Sequence, residues 1–71
     1  MKINAPDIYF NKIIKVVSPD GQELIGELYG YDYDFTDDGV EYLEFDVEIE
    51  NGMIVSYTED EIESIEVLND R

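Results

Sequence analysis

Cysteine, histidine and tryptophan are absent from this 71-residue chain, and lysine and arginine together number only four. Without cysteine there is no disulfide, and without cysteine or histidine there is no zinc site of the usual kind. Nucleophile activation by imidazole is also out of reach, because Ser18, Ser56 and Ser64 have no candidate base. No run comes near the ~20 apolar residues of a membrane helix. The opening Met1-Lys2-Ile3-Asn4-Ala5-Pro6-Asp7 lacks the apolar stretch of a secretory leader. These absences lead to the expectation of one small cytoplasmic domain over residues 1–71, without catalysis, cofactor or membrane contact. They leave the oligomeric state open.

Positive charge is scarce and also confined. Lys2, Lys12 and Lys15 lie at the amino end and Arg71 closes the chain, so no basic residue occurs from Val16 to Asp70, where 18 of the 19 carboxylates lie. The net charge of −15 repels phosphate backbones and anionic lipid and attracts basic proteins. Direct nucleic-acid binding is therefore not expected. A hydrophobic content of 44%, with six Tyr and three Phe, still supplies the material of a core. That separates the chain from acidic disordered segments, which are poor in aromatic and β-branched residues.

Three turn signals divide the chain: Ser18-Pro19-Asp20-Gly21, Asp37-Asp38-Gly39 and Asn51-Gly52. The runs between them read as strands over 12–17, 23–33, 42–50 and 53–58, with a last short strand around Ile62, Ile65, Val67 and Leu68. A tight helical turn at Glu59-Asp60-Glu61 is expected to lead into that strand. Pro6 to Asn11 suits one or two helical turns, with Pro6 at the first position and Asp7 at the positive end of the dipole. Gly26 and Gly30 interrupt the longest strand, as glycines do where a strand must bend. The pattern predicts a mainly all-β fold: a small, five-stranded, strongly bent antiparallel barrel with a short amino-terminal helix. Its expected core is Ile14, Val16, Leu24, Leu28, Leu43, Phe45, Val47, Ile49, Ile54, Ile62, Ile65 and Val67.

Gly26-Glu27-Leu28-Tyr29-Gly30-Tyr31-Asp32 resembles the first signature of the Sm-like family, glycine-x-leucine-x-glycine-aromatic-aspartate, and Ile62-Glu63-Ser64-Ile65 resembles the paired isoleucines of its second. The resemblance runs from about Pro6 to Leu68 and implies the Sm-like, SH3-like barrel. The RNA chemistry of the family does not follow. Its asparagine is Thr36 here, its Arg-Gly pair is Thr58-Glu59, and the aromatic expected two positions after Asp32 is Asp34.

The sharpest local pattern is the alternation of Leu43, Phe45, Val47 and Ile49 with Glu44, Asp46, Glu48 and Glu50. Alternate strand residues share a face at a spacing of about 6.8 Å, so these carboxylates form a ridge that Glu41 extends. Unmixed charge on a face costs stability, and the repulsion predicts that added salt stabilises the fold. The ridge reads either as an acidic exterior or as a docking face for a basic protein, with Tyr31 and Tyr33 as aromatic anchors. A third reading is mimicry of a phosphate row, which would block a DNA- or RNA-binding protein. Asp34-x-Thr36-x-Asp38-Gly39 resembles the start of a calcium loop, making Asp34, Asp38 and Glu44 weak candidate ligands. The closing glutamate is missing, since that position is Phe45.

Overall fold

Three hairpin turns of one kind set the topology. In Ser18–Gln22, Thr36–Val40 and Ile49–Met53 the first residue's amide donates to the fifth residue's carbonyl at 2.9 Å. The amides of Gly21, Gly39 and Gly52 donate back to the first carbonyl at 2.9, 2.9 and 2.8 Å. These glycines sit at φ 89°, 81° and 84°, where a side chain is strained. The turns join β1 (Lys12–Val17), β2 (Glu23–Phe35), β3 (Glu41–Glu48) and β4 (Ile54–Thr58) into a meander. A 3-10 turn at Pro6–Tyr9 precedes β1, and another at Glu59–Glu61 leads into β5 (Ser64–Asp70). The computed structural model describes residues 1–70, Asp70 by its backbone only; Arg71, the fourth basic residue and the last of the expected domain, lies outside them.

The strands form one antiparallel sheet in the order β4-β3-β2-β1-β5. The expected architecture is met in its coarser part, a mainly β chain with five antiparallel strands. The sheet is not closed: among the described residues no ladder joins β4 to β5. Among the described residues helical structure is limited to the two 3-10 turns. Asn11, at φ 64°, turns the chain into β1, and its amide donates to the Leu28 carbonyl at 3.2 Å.

β2 serves two neighbours in succession. Its first part pairs with β1, from Val17 opposite Glu23 to Ile13 opposite Glu27. It pairs with β3 from Glu27 opposite Glu48 to Phe35 opposite Glu41. A bulge between Leu28 and Gly30 interrupts the second ladder, and one extra residue there reverses which side chains face inward. Before the bulge, Leu28 faces the core opposite Val47; after it, Tyr31 does so opposite Phe45. Gly26 lies close against β3. A Cβ there would lie 2.5 Å from the Glu48 carbonyl oxygen and 2.8 Å from Val47 Cγ1, so the close approach of β3 requires glycine. Gly30 has open space around it and owes its place to the bulge.

Ile3, Ile14, Val16, Leu28, Leu43, Phe45, Val47 and Ile62 are buried, with Tyr9, Leu24, Tyr31, Tyr57 and Ile65 packed against them. Tyr9 and Tyr31 meet the Phe45 ring at centroid distances of 6.1 and 6.4 Å. Three expected core residues stand differently. Ile54 is 42% exposed, because it pairs with Glu48 and shares that residue's outer face. Val67 is 40% exposed on edge strand β5, and Ile49 is only half-buried where β3 has given way to its turn. Ile3 joins the core through Glu59, whose Oε2 accepts from the Ile3 amide at 2.9 Å while Oε1 accepts from the Leu43 amide at 3.1 Å. One carboxylate thus ties the amino-terminal segment to β3.

Candidate protein-docking surface

The register of β2 on β3 assembles an anionic face. Glu44 lies opposite Asp32, Tyr42 opposite Asp34, Asp46 opposite Gly30 and Glu48 opposite Glu27. Directly opposed residues share a face, with Cβ atoms about 4.5–5.5 Å apart. The ridge of Glu44, Asp46 and Glu48 therefore broadens into a two-strand field with Glu27, Asp32 and Asp34. β4 adds Thr58, Ser56 and Ile54 beside it, and the Ser56 hydroxyl donates to Asp46 Oδ1 at 2.7 Å. Neither β2, β3 nor β4 carries a lysine or arginine. β1 carries Lys12 and Lys15, and Lys15 pairs with Glu66 of β5 at 3.3 Å, at the opposite end of the strand order.

Two of these carboxylates also serve the backbone. The Thr36 amide bonds to the Val40 carbonyl. Hydrogen-bonded pairs then alternate along the ladder, which turns the amides of Tyr33 and Phe35 away from β3. β1 does not reach this half of β2. Asp32 Oδ1 accepts from the Tyr33 amide and Asp34 Oδ1 from the Phe35 amide, both at 2.8 Å. The field is strong enough to mark Tyr42: the charge of Asp34, then burial, the charge of Glu44 and a hydrogen bond to Asp34 push its hydroxyl pKa up.

The other expected residues are placed apart. Glu41 pairs with Phe35 beyond the core, and Glu50 lies in the Ile49–Met53 turn. Tyr31 and Tyr33 stand opposite Phe45 and Leu43, on the face turned away from the carboxylates. Tyr31 is half-buried, its ring 6.1 Å from that of Phe10, whereas Tyr33 is 47% exposed where the sheet runs past its core. Among the described residues no group of three or more Asp or Glu is placed to hold a metal ion, so Asp34, Asp38 and Glu44 do not converge.

An open cleft of about 800 Å³ lies at the same end of the sheet, lined among others by Lys2, Phe35, Val40, Glu41, Tyr42 and Glu59. Partial burial pushes the Glu59 carboxyl up, but the Ile3 and Leu43 amides, aided by Lys2 and the terminal ammonium, outweigh it and hold the pKa below the ordinary value of 4.5. Among the described residues no helix is long and apolar enough to cross a membrane.

Sequence reasoning found the β3 half of the field and missed the β2 half. Asp32 reads only as part of a strand and Asp34 as a candidate metal ligand until the bulge at Leu28/Gly30 puts both on the outer face. In comparisons with protein-family models, curated proteins and solved structures, nothing matches this chain.

Proposed function

We propose that this chain is a non-enzymatic interaction module that holds a basic protein against the outer face of β2 and β3. The observation that carries the reading is the direct opposition of Asp32 and Glu44 across the ladder. Like charges so placed destabilise a sheet, and Asp34, Asp46 and Glu48 lie around them with no basic residue on β2, β3 or β4. A cationic partner relieves this repulsion on binding, which gives affinity, and the field steers its approach. The absence of histidine and cysteine fits a role in binding rather than catalysis. The strand order and bent β2 support the finer reading of a small Sm-like, SH3-like barrel used as a scaffold, and the proposed setting is the cytoplasm.

The regular carboxylate rows also favour a second reading, a mimic of nucleic-acid phosphates that occupies a DNA- or RNA-binding cleft. One experiment tests both. The tagged chain is used to capture proteins from nuclease-treated lysate, beside a triple variant Glu44→Gln, Asp46→Asn, Glu48→Gln. A second triple variant, Asp7→Asn, Glu23→Gln, Glu63→Gln, has the same net charge but leaves the field intact. A basic protein held by the parent and the second variant, and lost by the first, supports the docking face. Displacement of that protein by added DNA or RNA favours the mimic. Equal loss in both variants means that bulk charge alone acts, and the reading falls.

A further inference from the structure

β4 is the one strand of this sheet without a charged residue: Ile54, Val55, Ser56, Tyr57 and Thr58. It is also an edge strand, bonded to β3 on one side only. Natural sheets guard such edges with lysine, proline, bulges or a covering segment. β4 has no proline, and its register with β3 runs without a bulge from Glu44–Thr58 to Glu48–Ile54. Met53 is 55% exposed at its start.

The free bonding groups can be assigned. The Ile49 amide donates to the Met53 carbonyl, so bonded pairs recur at Val47–Val55 and Phe45–Tyr57. The amides of Ile54 and Ser56 therefore point away from β3. The next outward amide, that of Thr58, is already taken by Glu61 Oε1 at 2.9 Å. Among the described residues an uncovered row of donors and acceptors thus begins at Ile54 and stops at Thr58.

We infer that β4 is a docking edge, and that its occupant is an extended segment of a basic protein which adds to the sheet as a further strand. Charge complementarity selects this occupant. Alternate side chains of the added strand fall beside Ile54 and Ser56, on the carboxylate face. A long basic side chain there leans over Ser56 toward Asp46, two strand spacings or about 10 Å away. The intervening side chains fall beside the half-buried Val55 and Tyr57 and suit apolar residues. A second copy of this chain is the poorer match. It brings a further net charge of −15, and its other edge strand, β5, carries Glu66 and Asp70. The inference rests on the basic-partner reading and adds the strand edge to it.

The test titrates the isotope-labelled full chain at low salt with two blocked peptides of alternating lysine and valine. One is unmodified. The other is N-methylated at alternate residues, so that it keeps its charge but loses its strand-pairing donors. The unmodified peptide is expected to bind about tenfold or more tightly, and to slow amide exchange at Ile54 and Ser56. Ser56→Pro, which removes an outward donor without touching the β3 ladder, is expected to abolish the difference between the peptides. Ile54→Pro at the first strand position does the same if Ser56→Pro does not fold. Equal binding of both peptides, with changes confined to Glu44, Asp46 and Glu48, overturns the edge inference and leaves the anionic-face reading standing. Binding of neither peptide overturns both. Protection of Ile54 and Ser56 in the free chain, rising with concentration as dimers form, assigns the edge to a second copy and overturns the inference.

Discussion

Two stretches of strand that lack a neighbour on one side among the described residues, the far half of β2 and the edge of β4, are finished differently. Where β1 stops, the far half of β2 is left open, and Asp32 and Asp34 bend their own carboxylates onto the amides of Tyr33 and Phe35. That edge is closed and charged at once. The edge of β4 has such a carboxylate only at its end, where Glu61 holds the Thr58 amide. Its amides at Ile54 and Ser56 face outward, and its side chains are neutral. The carboxylates of this protein are therefore not one uniform coat. Some hold backbone donors, some oppose one another across the ladder, and the Ile54–Ser56 stretch of the β4 edge carries none.

The largest effect on this contrast is expected at Gly26, whose contact with β3 sets the bend that carries β2 past β1. Gly26→Ala places a methyl group against the Glu48 carbonyl, which is backbone and cannot rotate aside. A loss of at least the ~1–3 kcal/mol of an overpacked core is expected. Urea unfolding measures it, and an unchanged midpoint would show that the bend does not depend on this glycine.

Next comes Glu59, a carboxylate that holds two amides. Glu59→Ala is expected to cost about 2 kcal/mol, since hydrogen bonds to charged groups contribute roughly 1.5–3 kcal/mol. Its acid titration has a definite sign. The folded pKa lies below 4.5, so the stabilisation is complete above the unfolded value and is lost as pH falls through the folded one. Melts of the parent should decline below about pH 4.5, and those of Glu59→Gln should decline less.

Asp34 separates the bonding role of a carboxylate from its charge. Asp34→Ala removes the Phe35 amide's partner and is expected to cost about 1 kcal/mol. Asp34→Asn keeps an acceptor and removes a charge opposite Tyr42, so it should be neutral or mildly stabilising. Equal losses in the two variants would mean that charge, not the edge bond, is what Asp34 contributes. The smallest effect is that of salt. Raising ionic strength to about 0.15 M shortens the screening length to ~8 Å and should raise the melting temperature by a few degrees, less so in the triple variant of the field.

Much of this structure was legible in the sequence. β1 runs over the expected residues, the Glu59–Glu61 turn stands where the acidic triplet marked it, and all three turn signals close hairpins. These features are local, set by φ at a glycine or by alternation over a few residues. What was illegible depends on neighbours far along the chain. The bulge at Leu28/Gly30 adds one residue to one strand, and it moves Tyr31 and Tyr33 away from Ile25's face while bringing Asp32 and Asp34 to Glu44. Ile3 is missing from the expected core, because its burial rests on Glu59, 56 residues away. Ile54 looked like core, because its place depends on pairing with Glu48.

The repeated glycine turns also bear on how the chain reaches this state. Each joins strands adjacent in sequence, so three hairpins can form on the microsecond scale of local closure. β5 alone must return across the whole chain, bringing Val16 to Ile65. Closing that long loop costs entropy before any contact repays it. The β1–β5 ladder should therefore be the last to form and the first to open. Substitutions in it should chiefly speed unfolding, and those in the hairpins should slow folding.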